Sequence, residues 1–133
     1  MKEVLIKSKE RVRKYAEVFT PLWIVEKMLN QEGIKEKTED LHATFFEPSS
    51  GEGIFLVEIL KRKLATISDN TAQLKDWQRD ALFALASIYA VELLDDNLEI
   101  SHKNLLQVLQ TNFEKRFGKN SPRIPIFTNR QRR

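Results

Sequence analysis

One twelve-residue segment constrains the fold of this chain more than any other, and it reads Phe45-Phe46-Glu47-Pro48-Ser49-Ser50-Gly51-Glu52-Gly53-Ile54-Phe55-Leu56. The β-prone run that ends at Glu47 predicts a buried strand, and the apolar run from Ile54 predicts a helix. Glycines in the turn let backbone amides approach a ligand, and a helix N-terminus favours an anionic group. The segment therefore predicts a ligand loop at the end of a parallel strand, with a ligand-free tight turn as the alternative.

A second strand is predicted over residues 87–92, which read Ser-Ile-Tyr-Ala-Val-Glu. Helices are expected before, between and after the strands: 2–16, Thr20 to Gly33, Ile54 onward, Leu74 to Leu85, and from Asp95 or Asp96 onward. Thr20 is expected to cap the second of these helices, and Leu98 is placed on the core side of the last one. Strand–helix–strand order predicts parallel pairing, so the fold class is α/β with an incomplete sheet.

Composition removes several classes of function. The chain has no cysteine and two histidines, which excludes disulfides and thiolate chemistry and argues against a metal centre. No apolar run reaches the about 20 residues that span a bilayer, and the start carries no secretory signal. We therefore expect a cytoplasmic protein without membrane contact, with one domain over residues 1–118 and a basic tail over 119–133.

Charge is distributed unevenly along the 133 residues. Residues 1–14 carry a net +4, residues 115–133 carry +7, and the stretch between them carries −8. Two basic ends suit contact with a polyanion, whereas a solvated helix face and a basic tail would give the same pattern. The sequence thus keeps open a small nucleic-acid-binding or regulatory protein that is not an enzyme.

An acid ends the second predicted strand in Tyr89-Ala90-Val91-Glu92-Leu93. In nucleotide-binding α/β units an acid in this place accepts hydrogen bonds from ribose hydroxyls. Glu92 lies 45 residues after Glu47, beyond the about 20 that such units show, so the helix around Trp77 would be an insertion. A strand-terminal glutamate exposed in a loop is the alternative.

A third motif, Glu17-Val18-Phe19-Thr20-Pro21, precedes the first strand. Taken in order, the three motifs resemble the amino-terminal part of adenine-specific DNA methyltransferases of restriction–modification systems. The similarity covers about residues 12–105 and implies a partial Rossmann-like domain that binds S-adenosylmethionine.

The resemblance also implies roles for individual residues. A first group would surround the methionine end of the cofactor: Phe19, Thr20, Pro21, Glu47, Pro48, Ser50, Gly51 and Gly53. Glu92 would hold the ribose, and Leu93 would pack on the adenine ring.

The catalytic loop of that family is absent from the sequence. It reads Asn/Asp-Pro-Pro-Tyr/Phe and holds a base extruded from DNA, whereas none of the four prolines here adjoins another. No catalytic residue is therefore predicted. The chain would be part of a longer enzyme, a truncated gene product, or one half of a split enzyme, and an incomplete sheet would need a partner chain or self-association to cover its edge.

Overall fold

The computed structural model of the protein describes residues 3–67 and 73–120. Six helices and two strands lie within these ranges. In chain order they are α1 (Lys9–Tyr15), α2 (Leu22–Leu29), α3 (Lys35–Thr38), β1 (Phe45–Glu47), α4 (Ile54–Thr66), α5 (Leu74–Ala86), β2 (Ile88–Ala90) and α6 (Asp95–Phe117).

The two described strands form one parallel sheet. Phe45 lies beside Ile88, Phe46 beside Tyr89, and Glu47 beside Ala90. The chain is thus a mixed helix-and-strand protein with the parallel pairing predicted from the strand–helix–strand order. Completion of this sheet to a Rossmann-like one stays a prediction.

Helix α4 is the centre of the packing, since it contacts α2, α3, α5, α6 and β2. Its near-continuous apolar composition leads to burial on several sides. Ile59 packs with Val25 and Leu29 of α2, while Leu60 and Leu64 belong to a larger cluster with α5 and α6. Apolar burial on this scale, at about 25 cal/mol per Å², is the main source of stability for the described fold.

The two faces of the sheet differ sharply. Phe45 and Ile88 pack toward the α2–α4 core. On the opposite face Phe46 is 66% exposed and its neighbour Tyr89 is 56% exposed. Parallel sheets are normally covered on both faces, so this face is an uncovered apolar surface of the described residues.

Two predicted helix caps are wrong. Helix α2 begins after Pro21, which makes no side-chain cap, and its first amide, that of Leu22, donates to Glu3 Oε1 at 3.1 Å instead of being capped by Thr20. Helix α6 begins at Asp95, with Leu94 in the cap position. The acids of its first turn lie where the helix dipole favours negative charge, without capping it.

Helix boundaries and one core position also differ from the predictions. The helix predicted over 2–16 forms only over Lys9–Tyr15, and the one predicted to end at Gly33 ends at Leu29. Leu98, predicted on the core side of α6, is 37% exposed, because the buried side of this end of α6 carries Asn97 and Ser101 instead. The tail predicted from 119 lies almost wholly outside the described residues.

No helix within residues 3–67 and 73–120 combines the length and the apolar character that a membrane crossing requires.

Lys63 of α4 is completely buried. Its ammonium donates to the carbonyl oxygens of Asp40 at 2.6 Å and Ala43 at 2.7 Å, and lies 5.4 Å from the centre of the Phe45 ring. Burial lowers the pKa of the Lys63 amine, because desolvation disfavours its charged form. The side chain thereby joins the segment before β1 to the central helix.

Replacing Lys63 with methionine should remove the ammonium donor from both carbonyl groups, of which that of Asp40 keeps only the amide of Ala43 at 3.3 Å. We expect Lys63→Met to lower the free energy of unfolding by about 1–3 kcal/mol, since relief of the buried charge offsets part of the loss. Urea denaturation measures this. Lys61→Met is the matched control, because Lys61 is exposed and pairs with Glu58 one turn away. Equal stability of the two variants would contradict a structural role for the Lys63 contacts.

Candidate functional site

A cleft of about 800 Å³ lies at the carboxyl ends of the two strands. Four segments supply its lining: residues 3–5, residues 13–20, the turn after β1 with the start of α4, and the residues after β2 as far as Asn97. We call it the strand-end cleft. Parallel pairing explains its position, because it places both strand-to-helix turns at the same edge of the sheet.

Backbone hydrogen bonds extend the strand pairing into the turn after β1. The amide of Val91 donates to the carbonyl of Glu47 at 2.9 Å, and the amide of Ser50 donates to the carbonyl of Val91 at 3.1 Å. The Glu47 carboxylate accepts from the amide of Ser49 at 3.0 Å. These bonds therefore hold the turn against the end of β2 without the help of a ligand.

Glu92 links the two strand-end turns. One carboxylate oxygen accepts from the amide of Gly51 at 2.7 Å, and the other accepts from the amide of Leu94 at 2.9 Å. A carboxylate has about four acceptor positions, so these two bonds leave capacity for two further donors. Glu92 also lines the cleft, where a diol could use that capacity.

Both glycines of the turn have left-handed backbone conformations, with φ of 55° at Gly51 and 85° at Gly53. A Cβ atom at Gly51 would lie 3.3 Å from the ring of Phe19, and one at Gly53 would lie 2.5 Å from Ser101 Oγ. Gly51 thus lets an aromatic ring close on the turn, while Gly53 lets α6 pack against the start of α4.

The hydroxyl oxygen of Ser50 is buried and has no hydrogen-bond partner. An unpaired buried hydroxyl is uncommon and costs about 1–3 kcal/mol. Ser50 belongs to the lining of the cleft, so this unsatisfied group lies beside the space that a ligand would fill.

The structure brings most of the residues predicted for the cofactor site together. Eight of them line the cleft: Phe19, Thr20, Glu47, Pro48, Ser50, Gly51, Glu92 and Leu93. Pro21 and Gly53 are outside its lining, and they precede α2 and α4 respectively. Leu93 is 77% exposed, which makes it an open apolar surface at the cleft.

A cluster of polar side chains that the sequence reasoning missed lies at one wall of the cleft, and its members Glu17 and Asn97 belong to the lining. Arg11 donates to both carboxylate oxygens of Glu17 at 2.7 Å and to those of Asp96 at 3.0 and 3.1 Å. Asn97, which is 1% exposed, donates to Glu17 at 2.7 Å and accepts from Lys7 at 2.6 Å. No local spacing signals this cluster, since its partners are up to 90 residues apart.

The cluster shifts the titration of its acids. The Arg11 guanidinium lowers the pKa of Glu17 by hydrogen bonding, with a further contribution from Asn97 against the opposing effect of burial. Hydrogen bonds from Arg11 and then Lys7 lower the pKa of Asp96 to about 2. The pKa of Arg11 is raised by the same two carboxylates. All three groups are therefore charged at neutral pH.

Comparisons with protein-family models, with characterised proteins and with solved structures give no significant match to this chain. Within the described ranges, no three histidine or acidic side chains are grouped so that they could hold a metal ion.

Gly53 can be tested against a glycine of similar conformation. Gly33 has a φ of 81° but nothing within 4 Å of an added Cβ, whereas Gly53 meets Ser101. We expect Gly33→Ala to cost about 1–2 kcal/mol for the left-handed backbone alone, and Gly53→Ala to cost a further 1–3 kcal/mol for the clash. Urea denaturation of both variants measures the difference. Equal losses would contradict the close contact between α4 and α6.

The contribution of Asp96 to stability should appear when the unfolding of the chain is followed at acid pH. Because its pKa falls from 3.8 to about 2 on folding, its carboxylate stabilises the fold above its ordinary pKa, and the contribution is lost as pH falls through 2. We expect Asp96→Asn to flatten this part of the pH profile, measured by thermal unfolding from about pH 5 to about pH 2. Parallel pH profiles for Asp96→Asn and the unmodified chain would show that the ion pairs of Asp96 do not contribute to stability.

Proposed function

We propose that this chain is the S-adenosylmethionine-binding part of an adenine-N6 DNA methyltransferase of a restriction–modification system, acting in the cytoplasm. The observation that carries the proposal is the convergence of three motifs, distant in sequence, on the strand-end cleft. A turn without a ligand would not require Phe19, Gly51 and Glu92 to share one lining.

The cleft has the size and composition of a small-molecule site. Its volume of about 800 Å³ lies within the range of about 300–1,000 Å³ typical of ligand pockets. Its lining combines apolar surface, such as Phe19 and Leu93, with charged groups such as Glu92. This mixture suits a ligand with an aromatic base, a ribose and a charged amino-acid end.

The geometry at Glu92 supports its proposed role. Its carboxylate is fixed by the amides of Gly51 and Leu94, and its free acceptor positions match a pair of ribose hydroxyls. Leu93, next to it and exposed, offers a surface for an adenine ring.

The remaining predicted contacts concern the amino-acid end of the cofactor. The unpaired hydroxyl of buried Ser50 and the close approach of Phe19 to Gly51 fit a polar ligand enclosed beside the turn. Glu47 and Thr20 supply further polar groups in the same lining. When bound, S-adenosylmethionine supplies an electrophilic methyl group on its sulfonium centre.

Methyl transfer itself needs residues that these 133 positions do not contain. No Asn/Asp-Pro-Pro-aromatic run is present to hold an extruded adenine. We propose that further polypeptide supplies that loop and covers the open face and edges of the β1–β2 sheet. Either a partner chain or additional sequence would serve, and DNA is the substrate of the complete enzyme.

Calorimetric titration with S-adenosylmethionine tests the proposal. We expect a dissociation constant of about 10–100 μM, equivalent to about −5.5 to −7 kcal/mol. Glu92→Gln should weaken binding by at least about tenfold, because an amide nitrogen replaces one carboxylate acceptor. Thermal unfolding of each variant checks that its fold is retained.

Glu99→Gln is the control, since Glu99 is an exposed residue of α6 outside the cleft lining and loses the same charge. It should bind as the unmodified chain does. Absence of heat and of a thermal shift at millimolar cofactor would overturn the proposal. If both variants weakened cofactor binding equally, the loss would come from the change in net charge and not from the Glu92 site.

A further inference from the structure

One wall of the strand-end cleft is made by the N-terminal residues 3–20, which we call the strap. The strap supplies residues 3–5 and 13–20 to the lining. Its two ends meet, because the amide of Phe19 donates to the carbonyl of Leu5 at 2.7 Å. Glu3 also accepts from the amide of Leu22, so both ends lie at the start of α2. The strap is thus a loop whose two ends lie together at the start of α2.

The strap buries no apolar residue completely, although the side chain of Glu17 is only 8% exposed. Val4 is 78% and Val18 58% exposed, while Leu5 and Phe19 are half-buried. Helix α1 within it likewise buries no residue. Apolar burial, which stabilises the rest of the fold, therefore contributes little to holding the strap in place.

Polar contacts at the start of α6 hold the middle of the strap instead. Lys7 pairs with Asp96 at 3.0 Å and with Glu52 at 3.2 Å, and Arg11 pairs with Asp96 at 3.0 Å. Buried Asn97 joins the same contacts through Lys7 and Glu17.

These ion pairs are partly exposed to solvent, which makes them sensitive to salt. The side chains of Lys7 and Arg11 are each 24% exposed, and that of Asp96 is 50% exposed. Surface ion pairs contribute little stability individually and are screened by salt. A segment attached in this way opens with a lower free energy than a packed core element.

We propose that the strap is a lid, which opens over the strand-end cleft about its junction with α2 and is held closed by Arg11 and Lys7 against Asp96 and Asn97. Opening would remove Phe19 and Thr20 from the lining while leaving the turn after β1 and Glu92 in place. Arg11, Asp96 and Asn97 are positioning residues, since they act through the strap. The coupling of the lid to S-adenosylmethionine rests on the proposed function, whereas the opening itself does not.

Hydrogen–deuterium exchange of the whole chain, followed by peptide mass spectrometry, tests the lid without any ligand. Raising NaCl from about 0.05 M to about 0.5 M should accelerate exchange in the strap peptides, because the seven-residue helix α1 is only marginally stable once it separates from α6. Peptides of α4 should keep their protection. At low salt, Asp96→Asn should accelerate exchange in the strap peptides about three- to tenfold. Arg11→Gln, which removes the same contacts from the strap side, should have a similar effect.

Asp76→Asn is the matched control. Asp76, like Asp96, is an exposed acid in the first turn of a helix, and it pairs with Arg79 at 3.1 Å, but on α5 away from the strap. In the Asp76→Asn variant, the strap should exchange at the same rate as in the unmodified chain. Strap exchange that is unaffected by salt and by both variants, or that occurs only together with exchange of α4, would overturn the lid.

Saturating S-adenosylmethionine separates this inference from the function. Slower exchange of the strap with cofactor, and partial loss of that effect in Asp96→Asn, would support a lid that closes on the ligand. If the unmodified chain binds no cofactor, the proposed function fails. The exchange data with salt and with the variants still show whether the strap opens as a lid. Cofactor binding that leaves strap exchange unchanged would overturn the coupling.

Discussion

The parallel pairing of β1 with β2 is the constraint on which the rest of the structure depends. Three residues in each strand make a weak sheet by themselves. The pairing requires a long crossover, which α4 and α5 provide, and it aligns the two strand-end turns. The polar contacts between the two turns follow from that alignment, including the link from Glu92 to the amide of Gly51.

Different kinds of interaction stabilise the core around α4 and the surroundings of the cleft. Around α4 the contacts are apolar and buried, and even the charged group there, Lys63, is enclosed by carbonyl oxygens. Around the cleft they are charged and partly hydrated, as in the contacts of Arg11 with Glu17 and Asp96. The cleft therefore combines a rigid floor with a wall that is attached by weaker, screened interactions.

Local patterns account for the parts of the fold that were predictable. The glycine turn between β1 and α4 and the acid after β2 are encoded in short motifs, and their strand–helix context predicts that they meet at one sheet edge. Helix caps were less predictable, because Glu3 reaches the amide of Leu22 across nineteen positions and no local pattern carries that contact.

The polar cluster at the wall of the cleft could not be predicted for a similar reason. Asn97 on an amphipathic helix looks like a surface residue, and its burial depends on the strap folding back over α6. Asp96 and Arg11 are ordinary charges in sequence, and they pair only because tertiary structure brings them together. Long-range polar contacts of this type leave no periodicity to detect.

Enclosure of the Lys63 amine has a chemical consequence. Reagents that acylate amino groups need an accessible, unprotonated nitrogen, and this nitrogen lies at a completely buried residue with two carbonyl partners. Surface lysines such as Lys61 react without any change in the fold. Lys63 becomes reactive only when α4 separates from the segment before β1, so the chain carries its own covalent reporter of that separation.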